Sequence, residues 1–363
     1  MGEDVLSWDS MRREGLMRTQ DMTVVPATHE KIGVIRDLLQ AQQRRWHALD
    51  GRLDAELSEE RLASLAVLSK SSGGFEPLIV LDAQGRVRGY AHASIWRLEP
   101  ESGMLAFFTT SNGITEVLAL PDPADLDALS VADALLTALE LQWRGARTLG
   151  DMFRWPCRDL WMDEILQEHG FVIDSDLATR TTDPLPPSTH TVAPDLHARL
   201  ALVSDEEALV SLLTEELLFH EPYTPFVRMS PMVERDFRKH LAPLWAGDSP
   251  EEGAPLVVVV EREGVLVAMS ENALSVVDGD DYPHFLPRGR YGYLNNVSVS
   301  QNARGSGVGR LLVQATFDAF SAYAVEGYYL WYNPANPLSG PFWQHMGFQP
   351  FWRTYQHRHS ALD

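Results

Sequence analysis

The sequence predicts an α/β fold in two tandem domains of the same build. Two observations carry this: one order of elements occurs twice, and a stretch rich in proline and threonine separates the occurrences. In the first half, Val34, Ile35, Leu38 and Leu39 follow helical spacing, and Leu78 to Leu81 reads as a strand. Gln84-Gly85 then turns the chain, and Val87 to Trp96 returns as a strand. In the second half, Leu209, Leu212 and Leu213 are helical and Leu256 to Val260 is a continuous apolar strand. Glu263-Gly264 turns the chain, and Val265 to Val277 returns. Leu118-Ala119-Leu120 matches Val297-Ser298-Val299, and His169-Gly170-Phe171 matches Met346-Gly347-Phe348. Gly85 and Gly264 lie 179 residues apart, as do Leu118 and Val297, while Gly170 and Gly347 lie 177 apart. Several matches in one register point to internal duplication. The expected boundaries are an N-terminal extension over 1–21, a first domain over 22–180, a linker over 181–195 and a second domain over 196–363.

Composition narrows the class. A chain of 363 residues with 45% hydrophobic content can bury more than one core. No stretch approaches the length of a membrane-spanning helix, which predicts a cytoplasmic protein with no membrane partner. The net charge of −21 opposes nucleic acid and favours amine-bearing partners, although acidity also serves plain solubility. The single cysteine, Cys157, forms no intrachain disulfide, lacks a neighbouring catalytic histidine and leaves no structural zinc set, so no metal is expected.

The chemistry concentrates in one loop. After a strand ending at Val299, the segment Gln301 to Gly309 carries glycines at 305, 307 and 309 and leads into an amphipathic run with Leu311, Leu312, Ala315, Phe317 and Phe320. Glycines let backbone amides approach a ligand, and a helix start presents unpaired N–H groups with partial positive charge. Such a turn suits a pyrophosphate. Between Tyr282 and Phe317 there is no Asp or Glu, while Arg288, Arg290, Arg304 and Arg310 all fall there.

The strand and loop from Val297 to Leu312 resemble the acyl-CoA motif of the GNAT superfamily of N-acyltransferases. Asn336-Pro337-x-Ser339-x-x-Phe342-Trp343-x-x-x-Gly347-Phe348 is similar to that family's second signature. The resemblance implies that each half is a mixed, mostly antiparallel sheet flanked by helices. It implies acetyl-CoA, or another short acyl-CoA, as co-substrate. Its pyrophosphate would lie on the amides of Arg304, Gly305, Ser306, Gly307, Val308 and Gly309, next to Arg310. Its pantetheine arm would pair with Val299 beside Ser298, and Asn336, Ser339, Phe342 and Trp343 would complete the site. The Val297 N–H would polarise the thioester carbonyl, a role that fixed amide donors fill for any developing oxyanion.

Two of the family's usual features are replaced. Members often place a Glu on the strand before the loop, where this chain has Tyr293, Asn295 and Asn296. The usual tyrosine acid, four residues before the Gly-Phe pair, is Trp343 here. Catalytic candidates on other elements are therefore Glu271, which either faces the acceptor or lies solvated on its strand, and His220, in a connection that could wall the acceptor site. Tyr332, at the end of the strand Tyr328 to Tyr332, is either a substitute acid or packing. The aromatic set Trp331, Phe342, Trp343, Phe351 and Trp352 lines an acceptor pocket or fills a core. The first-half counterpart of the loop has no glycine and places Asp122, Asp125 and Asp127 where phosphates would need donors, so that half is expected to keep the fold without the cofactor.

The predicted activity is acyl transfer from CoA to a small-molecule amine in a ternary complex, by a monomer or homodimer. A non-catalytic acyl-CoA sensor is the alternative. Transfer from charged tRNA is disfavoured by the acidity.

Overall fold

The computed structural model describes residues 22–70, 74–187, 192–224, 227–278 and 286–359; the expected extension 1–21 and linker residues 188–191 lie outside the described residues. The first half runs β1 (Thr23–Pro26), α1 (Ile32–Leu49), α2 (Glu59–Leu65), β2 (Leu78–Leu81), β3 (Val87–Arg97), β4 (Ser111–Ala119), α3 (Ala128–Gly145), β5 (Gly150–Pro156), α4 (Met162–Glu168) and β6 (Val172–Thr181). The second half repeats the order with β7 (Leu196–Leu200), α5 (Glu206–His220), α6 (Pro231–Ala246), β8 (Leu256–Arg262), β9 (Val265–Val277), β10 (Gly289–Val299), α7 (Val308–Phe320), β11 (Gly327–Tyr332), α8 (Ser339–His345) and β12 (Gln349–Arg358). The mixed sheet flanked by helices is present in each half.

The apolar runs are strands covered on both faces. In β2, Leu78 and Val80 pack under α3 with Val131, Leu135 and Leu139, while Ile79 joins Ile35 and Leu39 of α1. In β8, Val257 and Val259 face α5 and α6, and Val258 and Val260 face Leu312 of α7. Side chains alternate across a strand, so a run with two buried faces shows no polar alternation.

The halves do not form separate sheets. All strands join one 12-stranded sheet in the order β1-β2-β3-β4-β5-β12-β6-β11-β10-β9-β8-β7. The last strand of each half is exchanged. β12 lies antiparallel to β5, β6 lies antiparallel to β11, and the two exchanged strands pair with each other. Each half would otherwise end in an open edge, and the exchange covers both. Among the described residues only β4–β5 and β10–β11 are parallel.

At the β6–β12 pair, Asp176 stands opposite Arg353, and the guanidinium donates to its carboxylate at 2.8 Å with Asp176 almost wholly buried. Asp176→Ala leaves a half-buried guanidinium without its main partner and should destabilise the chain by about 3–5 kcal/mol in urea unfolding. A loss under 1 kcal/mol would mean the pair does not fasten the exchange. The linker is fastened too: Arg180 donates to Met346 O at 2.9 Å and stacks its guanidinium 4.7 Å from the Phe317 ring, and Leu185 packs with the second-half core.

Candidate active site

β10 and β11 pair only from Tyr291/Gly327 to Leu294/Leu330. Beyond them, β10 bends at a bulge over Asn295 and continues along β9 to Val299. Ser300 N donates to Val267 O at 2.9 Å. In an antiparallel ladder hydrogen-bonded positions alternate, so Ser298 and Asn296 face β9 while the backbone groups of Val297 and Val299 face the gap toward β11. That edge is open to another extended chain.

The glycine turn lies at the end of this edge. Gly305 and Gly307 adopt φ of 79° and 83°, where a side chain would be strained, and Gly307 caps α7. A side chain at 309 would press within 3.0 Å of the Phe342 ring. None of the amides from Gly305 to Gly309 donates to an acceptor among the described residues. Val308 is buried on the helix's core side, and no acid lies in the first turn. Glu215 of α5 holds the start of the turn by accepting from Gln301 N at 2.6 Å.

The turn's positive charge differs from the expected set. Arg288 and Arg290 lie at the far end of β10, against Glu60 and Glu251. Near the turn are Arg304, Arg310, which donates to Pro186 O, and Arg262 of β8, which donates to Ser306 at 3.1 Å and pairs with Asp195. Arg304 donates to Val299 O at 3.1 Å and lies 4.3 Å from the Phe219 ring.

On the α5–α6 side of the gap the structure gathers acids, amides and imidazoles. Glu271 is fully buried, not solvated. One of its oxygens takes His240 at 2.9 Å; the other takes Asn295 at 2.8 Å and Asn296 at 2.7 Å. Bonding to Glu271 raises the pKa of His240 and favours the imidazolium. Through these three donors Glu271 ties α6 to the bulge of β10.

Glu216 is the reverse case. It lies on α5 one turn beyond Leu212, whose carbonyl accepts from the buried Ser298 hydroxyl at 2.9 Å. Burial, and then the charge of Glu271, push its carboxyl up to about 8, against the pull of Arg304. Its Oε2 has no hydrogen-bond partner among the described residues. His220 ends α5 rather than lying in the following connection, with Nε2 at 3.9 Å from Glu216 and Nδ1 at 3.5 Å from the Asn336 amide. Burial, then Arg304, hold this imidazole below its ordinary pKa. Glu216 and His240 were missed from sequence because Glu215-Glu216 reads as a solvated helix face.

Other expected residues stand apart from this cluster. Tyr332 lies on the α7–α8 face, in the core with Val313 and Phe317, because strand alternation puts it with Leu330. Burial, then Asp176 and Cys157, raise its phenol well above the usual range, so it does not supply the acid beside Glu216. Trp343 is core as well, against Phe342 and Phe348. Asn336 accepts from the amides of Leu338 and Ser339, and Ser339 donates to Asn333 O at 3.2 Å, so both shape the turn into α8. Phe351 and Trp352 pack with Leu177, and Trp331 packs against them. The Cys157 thiol is pushed up by burial, then by Asp176.

The first half shows how the same gap is closed. Gln42 of α1 donates to Leu118 O at 2.7 Å and accepts from Leu120 N at 2.9 Å. These backbone groups match Val297 O and Val299 N at the spacing of 179. Setting the buried Ile35 and Leu39 against Leu209 and Leu213 brings Gln42 onto Glu216. One helix position thus carries a plug in one half and a lone carboxyl in the other. Asp125 and Asp127 bind Arg88 at 2.7 Å, leaving no glycine turn. Gln42→Ala strands two buried backbone groups and should cost about 2 kcal/mol in urea unfolding; unchanged stability would mean that water replaces the plug.

Residues 217–348 match the acetyltransferase (GNAT) family. This segment is a GNAT domain. A GCN5-related N-acetyltransferase from Sphaerobacter thermophilus shares the fold over 94% of this chain and 96% of its own, at TM-score 0.53 and 15% identity. The GNAT fold thus extends over both halves. A tandem GNAT protein from the clavulanic acid biosynthesis pathway, solved without AcCoA, is a looser likeness at TM-score 0.44 and 14% identity, over 94% of this chain and all of that one. No curated protein matches. Among the described residues, no helix is long and apolar enough to cross a membrane.

Proposed function

We propose that the GNAT domain transfers an acetyl or other short acyl group from CoA to a small-molecule amine, and that it holds the working site while the first half, 22–180, serves as its structural partner. The observation that carries this reading is the edge left by the Val297 backbone and the Val299 N–H, running into a turn whose amides from Gly305 to Gly309 have no acceptor among the described residues. An extended pantetheine arm fits the edge and a pyrophosphate fits the turn. Bound acyl-CoA supplies an activated thioester.

The chain's own residues would do the rest. The Val297 N–H, facing the gap, stabilises the charge that develops on the carbonyl oxygen. Glu216 takes the proton of the attacking amine as the C–N bond forms; the C–S bond breaks with its electron pair on sulfur, and Glu216 returns the proton to the departing thiolate. A carboxyl held near 8 is about one-tenth ionised at pH 7 and half ionised near pH 8, and is a far stronger base than an ordinary glutamate. Glu271, Asn295, Asn296 and His240 hold the acceptor side rigid, and the fixed geometry supplies further acceleration.

The test is thiol release from acetyl-CoA with a panel of primary amines. Turnover with any amine supports the transferase. Tight CoA binding without turnover on any acceptor would turn the reading to a sensor, toward which the burial of Tyr332 and Trp343 in the core leans.

A further inference from the structure

A cavity of about 1150 Å³ opens between α1, the α1–α2 connection and the strands β3 to β5, with residues of the second half at its rim. Trp46, Trp155 and Trp352 form an aromatic wall there, with ring centroids 5.0 and 5.5 Å from Trp46 in edge-on contact. Glu116 lines the cavity from the bulge of β4, the position matched by Asn295 in β10. One oxygen of Glu116 accepts from Ser94; the other has no hydrogen-bond donor among the described residues.

From β4 to β10 is five strand steps, about 24 Å at ~4.8 Å per step, so a molecule in this cavity cannot receive a group from the Val297 edge. Gln42 also fills the slot that would take a pantetheine arm. The cavity is therefore neither an acceptor subsite nor a second coenzyme site.

We infer that this cavity binds an organic amine with an apolar body, its ammonium group on Glu116 and its body against the tryptophans. Arg52 pairs with Asp50 and Arg288 with Glu60, while Arg154 lies over the Trp331 ring and its charge reaches Glu116; Arg61, also partnered, completes the cations that line the cavity. An incoming acid would find no unshared cation among these, whereas an ammonium group meets the free carboxylate oxygen and aromatic faces. Burial disfavours the ionised form of Glu116, and a bound cation offsets that cost. Pro287 and Arg288, just before β10, and Trp352 of β12 also line the cavity, so the full chain is needed to build it. This inference stands whether or not the second half is a transferase.

The experiment is calorimetry on the full chain with tryptamine, its neutral counterpart tryptophol and the anionic indole-3-acetate. Tryptamine should bind saturably at one site, at least tenfold tighter than either of the others. Glu116→Gln should remove its advantage over tryptophol, while Gly307→Asp, altered only in the coenzyme turn, should leave tryptamine affinity unchanged. Absence of saturable heat for all three, tryptophol or the acid binding as well as the amine, or loss of tryptamine binding in Gly307→Asp would each overturn the inference. Should Glu116→Gln fail to fold, the ranking of the three ligands on the unaltered chain decides.

Discussion

Gly307→Asp should lower CoA affinity at least a hundredfold, by calorimetry, in a protein that still folds. Position 307 has φ of 83°, a region that costs an L-residue about 1–2 kcal/mol. The new carboxylate would stand at the start of α7, where the helix dipole and the free amides favour an incoming phosphate; replacing that attraction with repulsion adds about 1–2 kcal/mol. Together these reach about 3 kcal/mol, or two decades in affinity. Gly307→Asn isolates the charge, since asparagine and aspartate tolerate the left-handed region alike and only aspartate is ionised. It should lose far less affinity than the aspartate. Unchanged CoA affinity in folded Gly307→Asp would remove the coenzyme from this turn.

Glu216→Gln should reduce kcat by about 10²- to 10⁴-fold, the range expected for loss of a general base. The pH profile makes the test specific. With Glu216 raised to about 8, wild-type kcat should climb through that region as the carboxyl ionises and then level, and the variant should lack this limb. Stability should move oppositely. Because the folded carboxyl sits above its ordinary value of 4.5, the folded state holds the proton more tightly than the unfolded chain. Its contribution is favourable at low pH and is lost as pH rises from about 4.5 to about 8. The glutamine variant escapes that loss, so its melting temperature should exceed wild type near pH 8 and converge with it near pH 5. A variant retaining the wild-type limb would hand the base role to another group.

The strand, turn and helix around the glycine loop were legible because glycine spacing and apolar period are local signals. The duplication was legible because its register is stated in the sequence itself. The exchange of β6 and β12 was not, since a strand has the same pattern of side chains whichever half it completes. Glu216 escaped because a carboxylate beside another on a helix resembles a solvent face, and only the match to Gln42 marks the position. His220, four residues on, lies beside it. Of the two readings of Tyr332, the sequence could not choose without strand parity: Leu330 and Tyr332 share one face of β11, and that face is core.

The exchanged strands also constrain synthesis. On a ribosome the first half emerges with the edge of β5 bare, and its partner β12 begins only at Gln349, 193 residues after β5 ends at Pro156. At roughly 5–20 residues per second this edge waits about 10–40 s for its neighbour. During that interval β6, the next strand made, could cover β5 in a pairing the finished protein does not keep. A nascent chain stalled or truncated before Gln349 should therefore be far more prone to aggregate than its length alone implies, and the final ten-residue strand acts as the step that commits both halves to the same molecule.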